Sequence, residues 1–393
     1  MNAGQSDPPR ILHLHSTFSA GGKEVRCAQL INAFGPGVSH AIVSAEPDKM
    51  GASRLISKGI AVTYPRNFPP LKGRPTPGRL HKIASAMQGY DLVLTYNWGA
   101  MDAVMAHTLF SNAMGLPPLI HHEDGFNEDE RERLKLTRNW YRRIALGKAS
   151  GLVVPSEVLE EIALDTWQQP MGRVKRISNG IDTKAFANVP RPDALRGVVK
   201  RSDEYWVGTL AGLRPVKNLK RLVRAFAGLP EEWQLVIVGE GPEEDAIRDE
   251  AFRLDVGHRV HLPGFASEPA RIMGLFDIFA LSSDSEQFPI SVIEAMAASV
   301  PVASTDVGDI AEMVSLQNRS FIRSCKGKDA DTQPLAAALC ELAADRKLRR
   351  EIGEANRLKA AAEYDQKVMI DAYRRLYSSA MGIKLPASAA RPA

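Results

Sequence analysis

Two carboxylates in the second half of the chain have surroundings that suit a polyhydroxylated ligand. Glu286 and Glu294 lie eight residues apart in SEQFPISVIEAMAASV (285–300). Glu286 precedes a predicted helix, and Glu294 lies in its second turn among apolar and small residues, where burial is costly unless a partner satisfies the charge. Glu294 could accept both hydroxyls of a ribose, and Glu286 could bind a second polyol such as a sugar ring. The alternative is that Glu294 points to solvent.

Two cations lie in an earlier loop, AGLRPVKN (211–218). Arg214 and Lys217 are three residues apart, and Pro215 restricts the turn between them. A planar guanidinium and a compact ammonium could together neutralise a diphosphate. Their removal is predicted to leave no buried protein group unpaired. The alternative is a solvated basic turn, because the positive charge continues into the next helix at Lys220, Arg221 and Arg224.

Two glycine-containing loops could also approach a ligand. Gly21 and Gly22 follow the first apolar run and precede a helix whose free N–H groups suit an anion, although they could equally form a tight strand-to-helix turn. The segment STDVGDIAEMV (304–314) has the same design. No GxGxxG with a later acidic residue is present, which argues against a nicotinamide-dependent dehydrogenase. No convincing Asp-x-Asp occurs, and DSE (284–286) is the nearest match, so no metal site is predicted.

These loops follow short apolar runs of the kind that form strands buried on both faces. The runs lie at 10–15, 40–45, 60–64, 91–96, 118–122, 151–156, 205–211, 234–241, 259–264, 277–283 and 300–308. Helical patterns separate the runs, which predicts an α/β protein with two doubly wound parallel sheets. In such sheets, ligands bind outside the carboxyl ends of the strands, where the loops described above should lie.

The pattern also predicts domain boundaries. The first domain is expected over 1–187 and the second over 201–363, joined by a linker at 188–200 that begins with the proline-containing NVPRPDALRG. A C-terminal helix is expected over 364–383, followed by a disordered tail at 384–393.

Composition excludes several classes of protein. The chain has 393 residues, 44% hydrophobic and 24% charged, as expected for a globular protein of two domains. Its three cysteines have no CxxC spacing, which argues against a disulfide framework and favours a reducing compartment. Neither a secretory signal nor a spanning apolar stretch of roughly 18 residues is visible, so a cytoplasmic protein is expected. The net charge of +4 permits anionic ligands without indicating nucleic acid.

Taken together, the motifs resemble the retaining glycosyltransferases of family 4, also called glycosyl transferases group 1. The E-x7-E pair of that family is similar to Glu286 and Glu294, and its Arg-x-x-Lys is similar to Arg214 and Lys217. Further similar segments are SAGGKE (19–24), SNGIDTKAF (178–186), VGEGP (238–242) and VHLPGF (260–265). The resemblance covers nearly the whole chain and is most specific in the second domain.

The resemblance implies a GT-B architecture, in which two Rossmann-like domains face a central cleft and the C-terminal helix crosses back to the first domain. It implies that Arg214 and Lys217 hold a donor diphosphate in place of a metal, that Glu294 binds the ribose and that Glu286 binds the transferred sugar. The loop of Gly21 and Gly22 would close over the phosphates. The segment from Phe288 through Ile290 to Ser291 would contact the sugar and phosphate.

The family usually has a histidine at the end of a first-domain strand, and PLIHH (118–122) offers two. Side chains alternate along a strand, so at most one of His121 and His122 faces the ligand. His122, nearer the strand end, is the predicted ligand to the transferred sugar and completes a catalytic set with Arg214, Lys217 and Glu286. The alternative is a histidine that is satisfied inside the core.

The segment NEDERERLKLTRNWYRRIALGK (127–148) interleaves basic and aromatic residues. It could dock on an anionic membrane or a lipid diphosphate. A solvated helix with ion pairs between residues four apart is the favoured interpretation, because the apolar residues do not define a clear face. Those residues are Leu134, Leu136, Trp140 and Ile144.

The predicted function is therefore transfer of a sugar, with retained configuration, from a nucleotide-sugar donor to a glycan or lipid-linked acceptor, without a metal or other cofactor. The setting would be cell-surface glycan synthesis in the cytoplasm, at the inner face of the membrane if the basic segment docks there. A nucleotide-sugar epimerase of the same fold and a non-catalytic nucleotide-sugar-binding protein are the alternatives.

Overall fold

The computed structural model describes residues 7–126, 130, 134–325 and 332–386. The chain forms two compact units. Unit 1 consists of residues 1–178 and 369–393, and unit 2 of residues 179–368. Each unit is a parallel sheet with helices on its faces, which confirms the predicted α/β class.

The sheet of unit 1 is built from seven strands among the described residues, in the order β3-β2-β1-β4-β5-β6-β7. Every pairing is parallel. The strands are β1 (Arg10–His15), β2 (Ser39–Ser44), β3 (Val62–Thr63), β4 (Leu92–Tyr96), β5 (Leu119–His122), β6 (Gly151–Val154) and β7 (Val174–Arg176). The helices are α1 (Gly22–Phe34), α2 (Pro77–Met87), α3 (Met101–Met114), α4 (Leu136–Ala145) and α5 (Glu157–Glu161).

The sheet of unit 2 has six strands among the described residues, in the order β10-β9-β8-β11-β12-β13. The strands are β8 (Tyr205–Leu210), β9 (Trp233–Val238), β10 (Val260–Gly264), β11 (Ile278–Leu281), β12 (Val302–Thr305) and β13 (Ile322–Arg323). The helices are α6 (Leu219–Phe226), α7 (Glu244–Arg253), α8 (Ile290–Ala297), α9 (Ile310–Met313), α10 (Gln333–Ala344), α11 (Arg346–Glu363) and α12 (Gln366–Met381), the last of which passes into unit 1. The strand order reverses between β8 and β11, and such a switch point is where α/β sheets bind ligands.

The unit boundaries differ from the predicted ones. The chain passes from unit 1 to unit 2 after Ser178, so the stretch predicted as a linker (188–200) belongs to unit 2. Leu195 there is buried in the unit 2 core, and the Nζ atom of Lys200 lies 2.6 Å from a carboxylate oxygen of Asp277. Its prolines therefore mark a packed irregular segment rather than a spacer.

The C-terminal helix α12 returns the chain to unit 1, as predicted. Met369, Tyr373 and Tyr377 recur every four residues and are buried against the side of the sheet that α1 covers. Part of the tail predicted to be disordered is ordered, because Leu385 is buried and its N–H group donates to Ser378 Oγ at 3.0 Å. Residues 387–393 of that tail lie outside the described residues.

Among the described residues, the helices are all too short or too polar to span a bilayer.

Candidate active site

The order of the unit 2 sheet brings the two charged loops together. Strands β8 and β11 are parallel neighbours, so the loops that follow them, 211–218 and 282–289, leave the same edge of the sheet side by side. Two hydrogen bonds join the loops directly. The Asp284 N–H donates to the Val216 carbonyl and the Ser282 hydroxyl to the Lys217 carbonyl, each at 2.9 Å.

This contact places Lys217 and Glu286 in direct interaction. Lys217 Nζ lies 2.5 Å from Glu286 Oε1, and the Ser283 hydroxyl donates to the same oxygen at 2.7 Å. Both charged side chains are largely buried, with 24% and 11% of the side-chain surface exposed. The prediction that removing the loop cations strands no protein group is therefore wrong, because loss of Lys217 leaves Glu286 without its counter-ion.

Arg214 has a different environment. It is exposed and precedes a 3₁₀ turn, Pro215–Lys217, in which the Lys217 N–H donates to the Arg214 carbonyl at 2.9 Å. Within the described part of the chain, the Arg214 guanidinium has no hydrogen bond or ion pair. The edge of the sheet thus presents one compensated cation and one uncompensated cation, which is a suitable arrangement for a diphosphate.

A second polar group, centred on Arg221 of α6, holds the two loops in place, and the sequence did not identify it. Arg221 on α6 donates to the Ser282 carbonyl at 2.9 Å and to Asp284 Oδ1 at 2.8 Å. The amide of Asn218 donates to the same carboxylate oxygen at 3.1 Å. Arg221 is buried, so it holds the loop in place rather than extending a solvated basic turn. The sequence feature that could have indicated this contact is the carboxylate of Asp284, three residues after β11.

Glu294 lies on the fifth residue of α8, where Val292, Ile293, Ala295 and Met296 are buried around it. Burial raises the pKa of the Glu294 carboxyl to about 7. Among the described residues, no side chain or N–H group is hydrogen-bonded or ion-paired to this carboxyl. The residue as a whole is nevertheless half-buried rather than fully buried.

The segment before and at the start of α8 has mixed roles. The ring of Phe288 is partly buried and packs edge-on against Tyr364 of the unit 2 core, with ring centroids 5.8 Å apart. Pro289 is the N-cap residue, and the helix begins at Ile290. The N–H groups of Ile290 and Ser291, in the first turn, have no intrahelical acceptor and are the backbone donors of this segment.

The loop after β12 supports the Glu286 loop through a close backbone contact. Gly308 has a φ of +57°, and a Cβ atom built on it would lie 2.5 Å from the Glu286 carbonyl oxygen and 2.8 Å from that of Gln287. A side chain at this position therefore meets both an unfavourable backbone conformation and rigid backbone atoms.

We expect Gly308→Ala to lower the free energy of unfolding by about 1–3 kcal/mol. Urea denaturation followed by circular dichroism measures the change. Gly228→Ala is the matched control, because nothing lies within 4 Å of a Cβ at that position and its φ is not positive. An equal loss in both variants would show that the contact with the Glu286 loop has no energetic importance.

In unit 1, the glycine loop caps a helix. Gly21 is the N-cap residue of α1 in an extended conformation, and a Cβ on it would lie 2.9 Å from Glu24 Oε2. Glu24 is buried and pairs with Lys23 at 2.7 Å. The close approach that Gly21 permits is thus to its own helix, whereas any approach of Gly21 and Gly22 to a ligand stays a prediction.

Unit 1 also contains a polar cleft of about 700 Å³ at the carboxyl ends of β1 and β4. Residues lining it include Ser16, Lys23, Asn97, Trp98, Asp102 and Tyr141. The Tyr141 hydroxyl donates to Asp102 at 2.6 Å, and Arg79 pairs with the same carboxylate. The only feature of the sequence that could have indicated this cleft is the set of polar residues that follow the two strands.

Both histidines of β5 are buried. His122 Nδ1 contacts the Thr95 carbonyl at 3.2 Å and Nε2 contacts the Tyr377 hydroxyl at 2.8 Å. Burial lowers the pKa of His122 to about 3, so its ring is neutral at physiological pH. His121 points to the other face and contacts Thr95 Oγ1 at 2.8 Å. Both ring nitrogens of His122 thus have partners, as in a histidine that is satisfied within the core. A sugar contact by His122 stays a prediction and would require exchange of its hydrogen bond with Tyr377.

Two family models match the chain. The model of glycosyl transferases group 1 matches residues 191–359, and the model of glycosyltransferase family 4 matches residues 20–185. The two matches cover most of unit 2 and most of unit 1, in the order that the sequence motifs indicated.

Similar individual proteins extend over most of the chain. The putative glycosyltransferase EpsF of Bacillus subtilis is 27% identical over 78% of this chain and 80% of its own length. The GDP-mannose-dependent alpha-mannosyltransferase of Mycolicibacterium smegmatis is 26% identical over 75% of this chain and 72% of its own. Among solved structures, HepE of Anabaena in complex with UDP covers 94% of this chain and 100% of its own, with 21% identity and a TM-score of 0.75.

The shared fold and the two family matches lead to one conclusion. The chain belongs to the family 4 type of the group 1 glycosyltransferases.

Proposed function

We propose that this glycosyltransferase moves a sugar from a nucleotide-diphosphate sugar to an acceptor, with retention of the anomeric configuration. The observation that carries the proposal is the cluster at the β8 and β11 strand ends. There Arg214, which has no ion pair among the described residues, lies three residues from Lys217, which is ion-paired with Glu286. A diphosphate needs cations, a sugar ring needs hydrogen-bond acceptors, and this edge of unit 2 offers both.

In this proposal Arg214 and Lys217 contact the donor diphosphate. The negative charge on the diphosphate grows as the glycosidic bond breaks, so fixed cations stabilise the transition state more than the ground state. As Lys217 turns toward the phosphates, Glu286 becomes available to accept hydroxyl groups of the transferred sugar. Glu294 accepts the ribose hydroxyls, which would supply the hydrogen-bond donors that its carboxyl lacks among the described residues.

The same assignment argues for attack on the face from which the diphosphate leaves. A double displacement needs a free carboxylate nucleophile near the anomeric carbon. Glu286 already interacts with Lys217 and Ser283, and its proposed task is to bind the sugar. The leaving diphosphate would then take the proton of the acceptor hydroxyl, and the configuration would be retained.

The names of relatives indicate the classes of donor and acceptor that we propose. HepE was solved with UDP and with UDP-glucose, and one curated relative is named for GDP-mannose. Other relatives include a lipopolysaccharide core biosynthesis glycosyltransferase of Rhizobium meliloti. We therefore propose a hexose donor and a glycan or lipid-linked acceptor in cell-surface glycan synthesis, on the cytoplasmic side of the membrane.

A panel of nucleotide sugars tests the proposal. Binding of a donor raises the melting temperature in proportion to ln(1 + [L]/Kd), so UDP-glucose and GDP-mannose should be distinguishable by thermal shift. The donor that binds is then incubated with oligosaccharide acceptors, and the anomeric configuration of the product is read by NMR. An inverted product would contradict the proposed mechanism, and binding of no nucleotide sugar would contradict the proposed site.

The two alternative functions have their own outcomes in that experiment. An epimerase would change the donor without an acceptor, and a non-catalytic binding protein would bind the donor but form no product with any acceptor. The family match favours neither alternative.

We expect transfer to survive EDTA with little change in rate. Lys217 and Arg214 supply the positive charge that a metal would otherwise supply, and Asp284 is engaged by Arg221 and Asn218 rather than free for a cation. Initial rates measured before and after chelation, with and without Mg²⁺ or Mn²⁺, check this. Complete loss with EDTA and rescue by either ion would overturn the metal-independent assignment.

A further inference from the structure

Helix α4 of unit 1 has an inverted polarity. Its buried residues are Asn139, Arg142 and Ala145, so a charged side chain faces the core. Its most exposed large side chains are apolar: Leu136 is 66% exposed, Trp140 60% and Ile144 55%. A surface helix of a globular protein normally places these two kinds of residue the other way round.

The polar face of α4 can be buried because its side chains have hydrogen-bond and ion-pair partners in the core. Arg142 contacts the carboxylates of Glu123 and Glu130, and Asn139 accepts a hydrogen bond from the Trp167 ring N–H at 3.1 Å. The apolar side chains are thereby left on the outside. The expectation that the apolar residues of this segment define no clear face is wrong for the three in α4.

These three residues form one continuous stripe. They are spaced by four positions, and at 3.6 residues per turn they lie within an arc of about 80°. We call them, with the neighbouring cations Lys135, Arg143 and Lys148, the α4 surface. Lys135 and Lys148 are exposed at the two ends of the helix, and the Arg143 guanidinium lies 5.1 Å from the centroid of the Trp140 ring. Residues 136–145 contain no acidic side chain.

Adjacent segments extend the apolar character. Thr108 on α3 donates to the Ala145 carbonyl at 2.5 Å, and its neighbour Leu109 is 55% exposed. Gln169 donates to the Arg143 carbonyl at 3.4 Å, and nearby Met171 is 79% exposed. Residues 127–129 and 131–133, which precede the helix, lie outside the described residues.

We propose that the α4 surface docks on an anionic lipid bilayer, with α4 lying in the plane of the interface. A stripe of Leu, Trp and Ile with basic residues beside it is the composition that binds such interfaces, where Trp is the preferred aromatic residue and each nearby cation adds attraction to anionic lipid. A few side chains offer far less than the roughly 800 Å² per partner that a stable protein interface buries. Binding to a bilayer does not require a contact area of that size. Insertion of a few apolar side chains and attraction of basic residues to anionic lipid both contribute to the binding free energy.

Vesicle binding by the full-length protein tests the proposal without donor or acceptor, so its result is independent of the proposed reaction. At about 0.1 M salt, we expect the protein to sediment with phosphatidylcholine vesicles that contain a large fraction of phosphatidylglycerol, and not with phosphatidylcholine alone. Leu136→Ser/Ile144→Ser should bind at least tenfold more weakly. Phe252→Ser/Leu316→Ser is the matched control, because both residues are exposed apolar side chains of unit 2, and it should bind like the unaltered protein.

Fluorescence locates the contact. Trp140 is the exposed one of the five tryptophans, so brominated lipid should quench it on binding. Trp140→Phe should still bind vesicles but lose the quenching. Failure of the unaltered protein to bind anionic vesicles, equal binding by Leu136→Ser/Ile144→Ser, or quenching that persists in Trp140→Phe would each overturn the proposal. A dimer in solution that Leu136→Ser/Ile144→Ser converts to a monomer would instead assign the α4 surface to a second copy of the chain.

Discussion

Replacing Lys217 by Ala is expected to lower kcat/KM by about two orders of magnitude, the loss typical for removal of one charge-stabilising donor from an active site. Arg214→Ala should cost at least about tenfold. Each cation faces charge that grows on the leaving diphosphate, so kcat should fall more than the donor KM rises. Steady-state kinetics with the donor identified by the nucleotide-sugar panel measure both effects.

The ion pair with Glu286 makes the two variants differ in kind. Lys217→Ala also leaves Glu286 without its counter-ion, whereas Arg214→Ala leaves no group unpaired among the described residues. We therefore expect Lys217→Ala and Glu286→Gln to be non-additive, because the second change removes the charge that the first one strands. A double-mutant cycle gives the coupling.

A surface cation provides the control for these variants. Arg248 on α7 pairs with Glu244 on the same helix and is exposed, so Arg248→Ala should keep both kcat/KM and stability. Near-wild-type kcat/KM in both Arg214→Ala and Lys217→Ala would place the donor diphosphate elsewhere. Circular dichroism and the urea midpoint distinguish that result from unfolding.

Donor affinity should rise by up to about tenfold between pH 6 and pH 8, and the rise should disappear in Glu294→Gln. Burial raises the pKa of Glu294 to about 7 in the free protein, so much of it is protonated at pH 6. Ribose hydroxyls donate to the carboxylate, and binding therefore favours the deprotonated form. Below the free pKa, each pH unit then costs up to about tenfold in affinity. A nucleotide sugar is the right probe, because its diphosphate has no second ionisation near pH 6.

The same carboxyl should also influence stability, in the opposite direction with pH. A carboxyl whose pKa is higher in the folded state than in the unfolded state stabilises the fold fully only below the unfolded value, near 4.5. That contribution is lost as the pH rises toward about 7. Glu294→Gln should therefore be more stable than the unaltered protein at pH 8 and show little difference at pH 5, as measured by urea denaturation.

Equal pH profiles for donor affinity in the two proteins would remove Glu294 from the donor site.

Several elements of this structure could be predicted from sequence because they depend on local pattern. Buried strands such as Leu92–Tyr96 read as continuous apolar runs, because helices cover both faces of a parallel sheet. The unusual position of Glu294 was equally visible, since its neighbours in one short helix are apolar. Arg214 and Lys217 could be placed at a strand end because the strand before them could be recognised.

Tertiary structure alone decided which of these residues meet. Lys217 and Glu286 are 69 positions apart, and their ion pair exists because β8 and β11 are neighbours across the switch point of the sheet. The burial of His122 depends likewise on Tyr377, 255 residues later, which α12 carries back to unit 1.

Sequence by itself determined the type of most elements and the approximate ends of eleven strands, because periodicity and residue type act over a few residues, whereas the short strands β7 and β13 lie outside the predicted runs. It did not determine which face of α4 is covered. Arg142 is buried and Trp140 is exposed because carboxylates distant in sequence, Glu123 and Glu130, neutralise the arginine inside unit 1. The free-energy cost of burying a charge depends on the partners that neutralise it. These partners are distant in sequence and come together only in the folded chain, through the order of the strands.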